Sequence, residues 1–384
     1  MYKFSAPMPY TKDDIQKLLN INNQVEKSKI TSFYFSLPVT DNLFTGFEQY
    51  KNCVTGKSTD YWENLIEYSL NKNLDFIYLL NNPVNLFLKN TNLEKELFKL
   101  DKLLIELKKI GVNKLRISEH KLMDYIQKYY PYFIIYGSTS FEFKTLKEYN
   151  NFILMHPNVK QIVPSHDLIK NFNLLKNLKI ILKDTEIEIM VNEGCIKGCP
   201  ARYSHAAEKS YNIQKSNNKF LYDFYFSKSF CIKAERENPF ICLVKSNYIF
   251  PWEIYEYSKI GITNFKLAGR DCFPNKMNSC IKSFTMYLKG IDDIKNIENE
   301  PVNTFIHHLS NNDVLKQLKV KEVKNLLPNI NHFKKYGELC AAVCGVECRY
   351  CDKCAEKIEK VFKKKHEEMK KRTMPVCVIT KQAI

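Results

Sequence analysis

The sequence lacks any uninterrupted apolar run approaching the ~18 residues that a membrane-spanning helix needs, which rules out such a span. Its first residues, 1–14, carry no charged start followed by an apolar stretch, so no secretion signal is read there and a cytoplasmic location is expected. No Gly-x-Gly-x-x-Gly turn follows an early strand pattern, which argues against an open dinucleotide-binding sheet. Neither a His-Glu-x-x-His helix nor a Ser-His-Asp arrangement is visible, so two common protease chemistries lack their residues. An even set of cysteines is also missing. The chain has 13, and in a reducing compartment an odd, clustered set favours metal binding over cystine.

What is present is a chain of 384 residues, 45% hydrophobic, long enough for one large domain with a small appendage. The formal charge is +16, from 58 Lys and Arg against 42 Asp and Glu. It fits either an anionic partner, such as RNA or an acidic metabolite, or basic residues scattered over the surface. Apolar, β-rich runs occur at Ile30–Leu37, Asp75–Leu80, Lys114–Ser118, Tyr132–Gly137, Gln161–Pro164, Glu186–Asn192, Phe240–Lys245 and Asn264–Ala268. Helical spacing separates most of them, as in Trp62, Leu65, Ile66 and Leu70 after the cap candidate Asp60, or Leu93, Leu97, Leu100, Leu104 and Leu107. A short echo, Lys109-Ile110-Gly111-Val112 and Lys259-Ile260-Gly261-Ile262, ends a helix at Gly before a strand in both places. Eight strands alternating with helices predict a (β/α)8 TIM-barrel-like domain over residues 1–290. Residues 291–335 read as a linker with short helices, and residues 336–384 as a small cysteine-rich helical appendage.

Two cysteine constellations stand out. The first, Gly194-Cys195-Ile196-Lys197-Gly198-Cys199-Pro200, directly follows the sixth strand pattern, where a barrel puts its active site. Cys195 and Cys199 share one tight loop and can chelate, and Cys231 reaches the same mouth through its own loop. Zinc with His205 as a nitrogen ligand and a [4Fe–4S] cluster both remain open on spacing. The second, Cys340-x3-Cys344-x3-Cys348-x2-Cys351-x2-Cys354, is dense enough to hold a second cluster or zinc through Cys344, Cys348, Cys351 and Cys354. Its Cys-x3-Cys-x-aromatic-Cys core matches radical-SAM spacing, but too little chain follows for a barrel built after it. A structural or electron-relay site is the reading kept. The basic helix after it, Ala355–Thr373, reads as a solvated amphipathic face or an RNA or protein contact.

The block Asn192-Glu193-Gly194-Cys195…Cys199-Pro200-Ala201-Arg202…His205 resembles the signature of the peptidase U32 family. Phe230-Cys231…Pro239 resembles that family's next cysteine segment. Pro251-Trp252-Glu253-Ile254-Tyr255…Gly261-Ile262…Phe265-Lys266-Leu267-Ala268-Gly269-Arg270 resembles its third. The likeness covers about residues 30–290 and departs from the family pattern at Phe250 and Trp252. It implies a barrel and a [4Fe–4S] cluster in a family that includes oxygen-independent ubiquinone and RNA hydroxylation proteins. Some members work with a paralogous partner, and others carry the peptidase label. The fourth ligand is expected to be Cys53, with Cys242 and Cys272 as rivals.

Strand parity turns Arg116, Ser118, Glu188, Asn192, Lys266 and Arg270 toward the lumen. Arg116, Lys266 and Arg270 would make a cationic pocket for a carboxylate or phosphate. The alternative is a buried charge network with Glu188 that serves the barrel alone. Glu193, His205, Lys266 and Arg270 are the expected catalytic residues, with Arg116, Asn192 and Arg202 as substrate contacts. The leading expectation is an iron–sulfur enzyme that hydroxylates a quinone precursor or RNA base. The alternatives are a peptidase with a Cys195–His205 pair, and a non-catalytic subunit of a paralogous barrel protein.

Overall fold

The computed structural model describes residues 1–36, 58–82, 93–199, 202, 237–269, 277–306, 312–343 and 348–373. Eight parallel strands close into a barrel in sequence order, with the last hydrogen-bonded to the first. They are β1 (Tyr2–Pro7), β2 (Ser28–Phe35), β3 (Asp75–Leu80), β4 (Lys114–Ile117), β5 (Ile134–Gly137), β6 (Gln161–Ile162), β7 (Glu186–Met190) and β8 (Asn264–Lys266). The helices between and around them, numbered over the described residues, begin with α1 (Lys12–Asn22), α2 (Thr59–Leu70), α3 (Leu93–Lys109) and α4 (His120–Tyr129). They continue with α5 (Leu146–Met155), α6 (Phe172–Ile181), α7 (Pro239–Lys245), α8 (Ile254–Ser258) and α9 (Met277–Asp292). This is the (β/α)8 barrel that the alternation predicts.

The sequence reading reached eight strands through two errors that cancel. It omits β1, whose Lys3 and Ser5 face the lumen and whose Ala6 and Pro7 are poor strand formers. It also takes Phe240–Lys245 for a strand, whereas these residues form α7. Pro239 opens that helix, and the Asn238 side chain caps it by accepting from the Ile241 amide at 3.0 Å. Phe240, Cys242, Leu243 and Val244 are all buried, so the segment shows neither the period of a strand nor that of a half-exposed helix. Cys242, a rival for the fourth ligand, is therefore a core residue on a helix.

The main core lies between strands and helices. Phe4, Phe33, Phe35, Phe76, Tyr78, Leu115, Ile117, Ile187, Ile189 and Phe265 point outward from the strands into it. They meet helix faces such as Leu100, Leu103, Leu104 and Leu107 of α3. Each such side chain contributes about 1.5–3 kcal/mol relative to exposure. The opposite parity fills the lumen, with Tyr34, Ile77 and Leu79 forming a small separate cluster beside Tyr136. Arg116 and Glu188 meet within this interior at 2.8 Å, with side chains 1% and 3% exposed. Ser5 Oγ donates to Glu188 Oε1 at 2.7 Å, and Arg116 Nη2 donates to Gln161 Oε1 at 2.5 Å. Of the two roles weighed for Arg116, the structure thus realises the buried network with Glu188.

The chain after α9 lays short helices on the barrel, including α10 (Val320–Val323), and buries Val302, Phe305, Leu315, Leu318 and Val320. Two long helices follow among the described residues, α11 (Ile330–Val343) and α12 (Tyr350–Thr373). Ile358 of α12 is fully buried, and Phe362 meets Phe240 of α7 at 5.7 Å between ring centroids. Lys365 binds both carboxylate oxygens of Glu322, at 2.8 and 2.9 Å.

Candidate functional site

The C-terminal ends of β5, β6 and β7 converge on the loop that carries Cys195 and Cys199. That loop turns tightly because Gly198 adopts φ +68°, a left-handed conformation that costs glycine little. The amide of Cys199 bonds the carbonyl of Ile196 at 3.3 Å, and two backbone hydrogen bonds fix the loop to the end of α7 and the residues just after it. Lys197 N donates to Lys245 O, and Asn247 N donates to Cys195 O, each at 3.0 Å. These two bonds make Ile196 and Ser246 an antiparallel bridge pair.

Two side chains then bind the loop from inside. Asp167, in the loop that follows β6, accepts from Gly198 N at 2.7 Å and from Arg202 Nη2 at 2.8 Å. Arg202 also donates to Ile196 O at 2.9 Å, and through Nε to Cys195 Sγ at 3.3 Å. Glu142, which follows β5 and accepts from Ser165 Oγ at 2.9 Å, lies 3.9 Å from the same guanidinium. Burial alone would raise the Asp167 carboxyl. The Arg202 guanidinium and the Gly198 amide outweigh it and hold that carboxyl below its ordinary value.

The Cys199 thiol lies within hydrogen-bonding reach of Cys195. That contact first, and burial second, push the Cys195 thiol well above its ordinary range, against the pull of Arg202. Cys195 is thus a protonated thiol in the metal-free protein, and a metal taken up there displaces its proton. Cys195, Cys199, Cys348, Cys351 and Cys354 are all free of disulfide bonds. Cys195 and Cys199 fit two positions of a thiolate metal centre. They are close together on one loop at the barrel mouth, with a cation on the sulfur. Among the described residues no three His, Cys, Asp or Glu side chains converge as a ligand set. Cys53, Cys231, His205, Arg270 and Cys344 lie outside the described residues.

The remaining expected residues divide. Asn192 faces inward, but its amide is committed to the chain just after β8, donating to Ala268 O at 3.0 Å and accepting from Ala268 N. Lys266 also faces inward, its ammonium 4.1 Å from the centre of the Tyr34 ring. Glu193 stands beside the loop and acts electrostatically on His166. Cys348, Cys351 and Cys354 stand at the start of α12, where Cys351 and Cys354 are buried.

Sequence reasoning missed His166, Asp167, Glu142 and Asn247. His166 is 8% exposed and its Nδ1 has no hydrogen-bond partner. Burial lowers its pKa, with Glu193 opposing, so the ring is neutral at neutral pH. Asn247 is 1% exposed. Its amide sits near Asp167 without completing a well-formed hydrogen bond at either atom. Buried polar atoms left in this state call for a polar ligand or ordered water. A usable signal did exist, since Ser165-His166-Asp167 is a polar triplet directly after a strand end.

Compared with known protein families and with curated proteins, the chain matches none. Among solved structures it is similar to a U32 peptidase, at TM-score 0.43 and 12% identity, over 70% of this chain and 93% of that one. It is also similar to N-acetylneuraminate lyase from Fusobacterium nucleatum, at TM-score 0.36 and 11% identity, over 94% and 98%. A third is a mutant tryptophan synthase α-subunit from Pyrococcus furiosus, at TM-score 0.38 and 8% identity, over 77% and 97%. Likenesses this loose carry no argument about chemistry, and barrel closure rests on the strand pairing itself.

Proposed function

We propose that this chain is a (β/α)8-barrel enzyme with a [4Fe–4S] cluster on the C-terminal face of its barrel, acting in an oxygen-independent hydroxylation or related modification of a quinone precursor or RNA base. The observation that carries this reading is the mouth loop, where Cys195 and Cys199 lie within reach of one another and Arg202 donates to the Cys195 sulfur. The U32-like motifs in the sequence supply Cys231 as a third ligand, and Cys53 is the expected fourth. When bound, such a cluster supplies a redox or Lewis-acid centre.

The chain's own side chains have definable tasks around it. Arg202 offsets the negative charge of the thiolates, and Asp167 with Glu142 keeps the guanidinium in place. His166, buried and neutral with an unpartnered ring nitrogen, is suited to accept or donate a proton at the mouth. Asn247 offers a hydrogen-bonding edge to a polar substrate. Arg116 belongs to the barrel interior in this scheme, since Glu188 already neutralises it. A cysteine-nucleophile peptidase draws less support. The environment raises the Cys195 pKa, the reverse of what an activated thiol nucleophile requires.

Anaerobic reconstitution with iron and sulfide, followed by analysis of both, tests the proposal. A coloured protein with iron and sulfide in equal amounts is expected. A colourless, iron-free chain overturns it.

A further inference from the structure

The two cysteine constellations, far apart in sequence, are joined by one short strut. Both backbone bonds that fix the loop from this side end on Lys245 or Asn247, on either side of Ser246. Lys245 is the last residue of α7, and its ammonium makes a 2.7 Å ion pair with Asp352 Oδ1, the two side chains 22% and 17% exposed. Asp352 stands between Cys351 and Cys354 in the first turn of α12. Its carboxylate favours that position on its own account, because a helix N-terminus attracts negative charge. The other long helix is linked to the same strut through Lys170. Lys170 Nζ donates to Ser246 O at 3.2 Å and lies 5.0 Å from the ring centre of Phe333 in α11. α12 thus contacts the strut directly through Asp352, and α11 reaches it only by way of Lys170.

We propose that Asp352 is a positioning residue for the Cys195–Cys199 loop, acting through Lys245, so that the first turn of α12 is a working part of the mouth site. The consequence for metal chemistry rests on the iron–sulfur reading above, whereas the mechanical link does not. Lys245 has its backbone carbonyl on the Lys197 amide and its side chain on Asp352, so a shift of α12 moves the loop. Arg349 is a weaker second partner of Asp352, at 3.7 Å and largely exposed, and it gives the carboxylate no other route to the loop.

The test uses the full chain, reduced and metal-free, with hydrogen exchange followed by mass spectrometry. In Asp352→Asn and in Lys245→Met, peptides covering residues 194–199 should exchange roughly fivefold faster than in the parent chain, the scale of one partly buried ion pair. Peptides from α3 should stay unchanged. The reversed pair, Lys245→Asp with Asp352→Lys, should return the loop to within about twofold of the parent rate. Unchanged loop exchange in the single variants overturns the proposal. So does equal acceleration throughout the barrel, or failure of the reversed pair to restore the loop. In iron-loaded protein, Asp352→Asn should also lose mouth iron to a chelator several-fold faster. If the parent chain takes up no iron, the iron–sulfur reading fails while the exchange result stands.

Discussion

Replacing Glu188 by Gln should be among the costliest single changes in the barrel, although the residue lies outside the proposed site. Its carboxylate holds Ser5 Oγ at 2.7 Å and Arg116 at 2.8 Å in an interior that water barely reaches. The Gln variant keeps the shape and removes the charge. It leaves a guanidinium 1% exposed with Gln161 as its remaining close oxygen. Orphaning one member of a buried pair costs about 3–5 kcal/mol, or roughly two to three and a half powers of ten in the unfolding equilibrium. Arg116→Met should cost a similar amount, because it strands the carboxylate. The double variant Arg116→Met with Glu188→Met removes both charges and should lose no more than about 2 kcal/mol, mainly for the abandoned bonds of Ser5 and Gln161. Urea unfolding followed by circular dichroism measures all three. A cost below about 1 kcal/mol for the Gln variant, or a double variant as damaged as the sum of the singles, would refute the reasoning.

Two further outcomes follow from other parts of the molecule. His120 Nδ1 and His156 Nε2 lie 2.8 Å apart with stacked rings, and burial holds both pKa values below the ordinary 6.5. Protons therefore prefer the unfolded chain, so the stabilisation is complete above pH 6.5 and is lost as pH falls through 6.5 toward the folded values. His156→Gln should lower the melting temperature at about pH 7, and the gap to the parent should narrow toward about pH 5. A gap independent of pH contradicts this assignment. Asp167→Asn weakens two charge-assisted bonds at the mouth, and the Gly198 amide should exchange about 10–100-fold faster. An unchanged Gly198 rate would mean that Asp167 does not hold the loop.

Much of the barrel was legible because a strand's period of two is strict. It turned Arg116, Glu188, Asn192 and Lys266 inward, and the structure agrees at all four. Where the periodicity weakens, the reading weakens with it. Polar lumen residues hid β1, and the all-round burial of α7 mimicked a buried strand. Cys195 and Cys199 were legible as a pair because a single loop carries both. The Arg202–Asp167–Glu142 cluster was not, because its members lie on separate loops that meet only when the barrel closes. The ion pair of Arg116 with Glu188 was visible in outline, as one of two roles open to a lumen cation. The choice between them needed the 2.8 Å contact.

The central claim is that the mouth cysteines hold iron, and paired substitutions test it most directly. Cys195→Ser with Cys199→Ser should fold, as judged by circular dichroism, yet lose about four iron and four sulfide per chain after anaerobic reconstitution, together with the matching electron paramagnetic resonance signal. Cys351→Ser with Cys354→Ser should keep that signal. Full iron retention in the Cys195 and Cys199 variant, with loss confined to the Cys351 and Cys354 variant, would contradict the account.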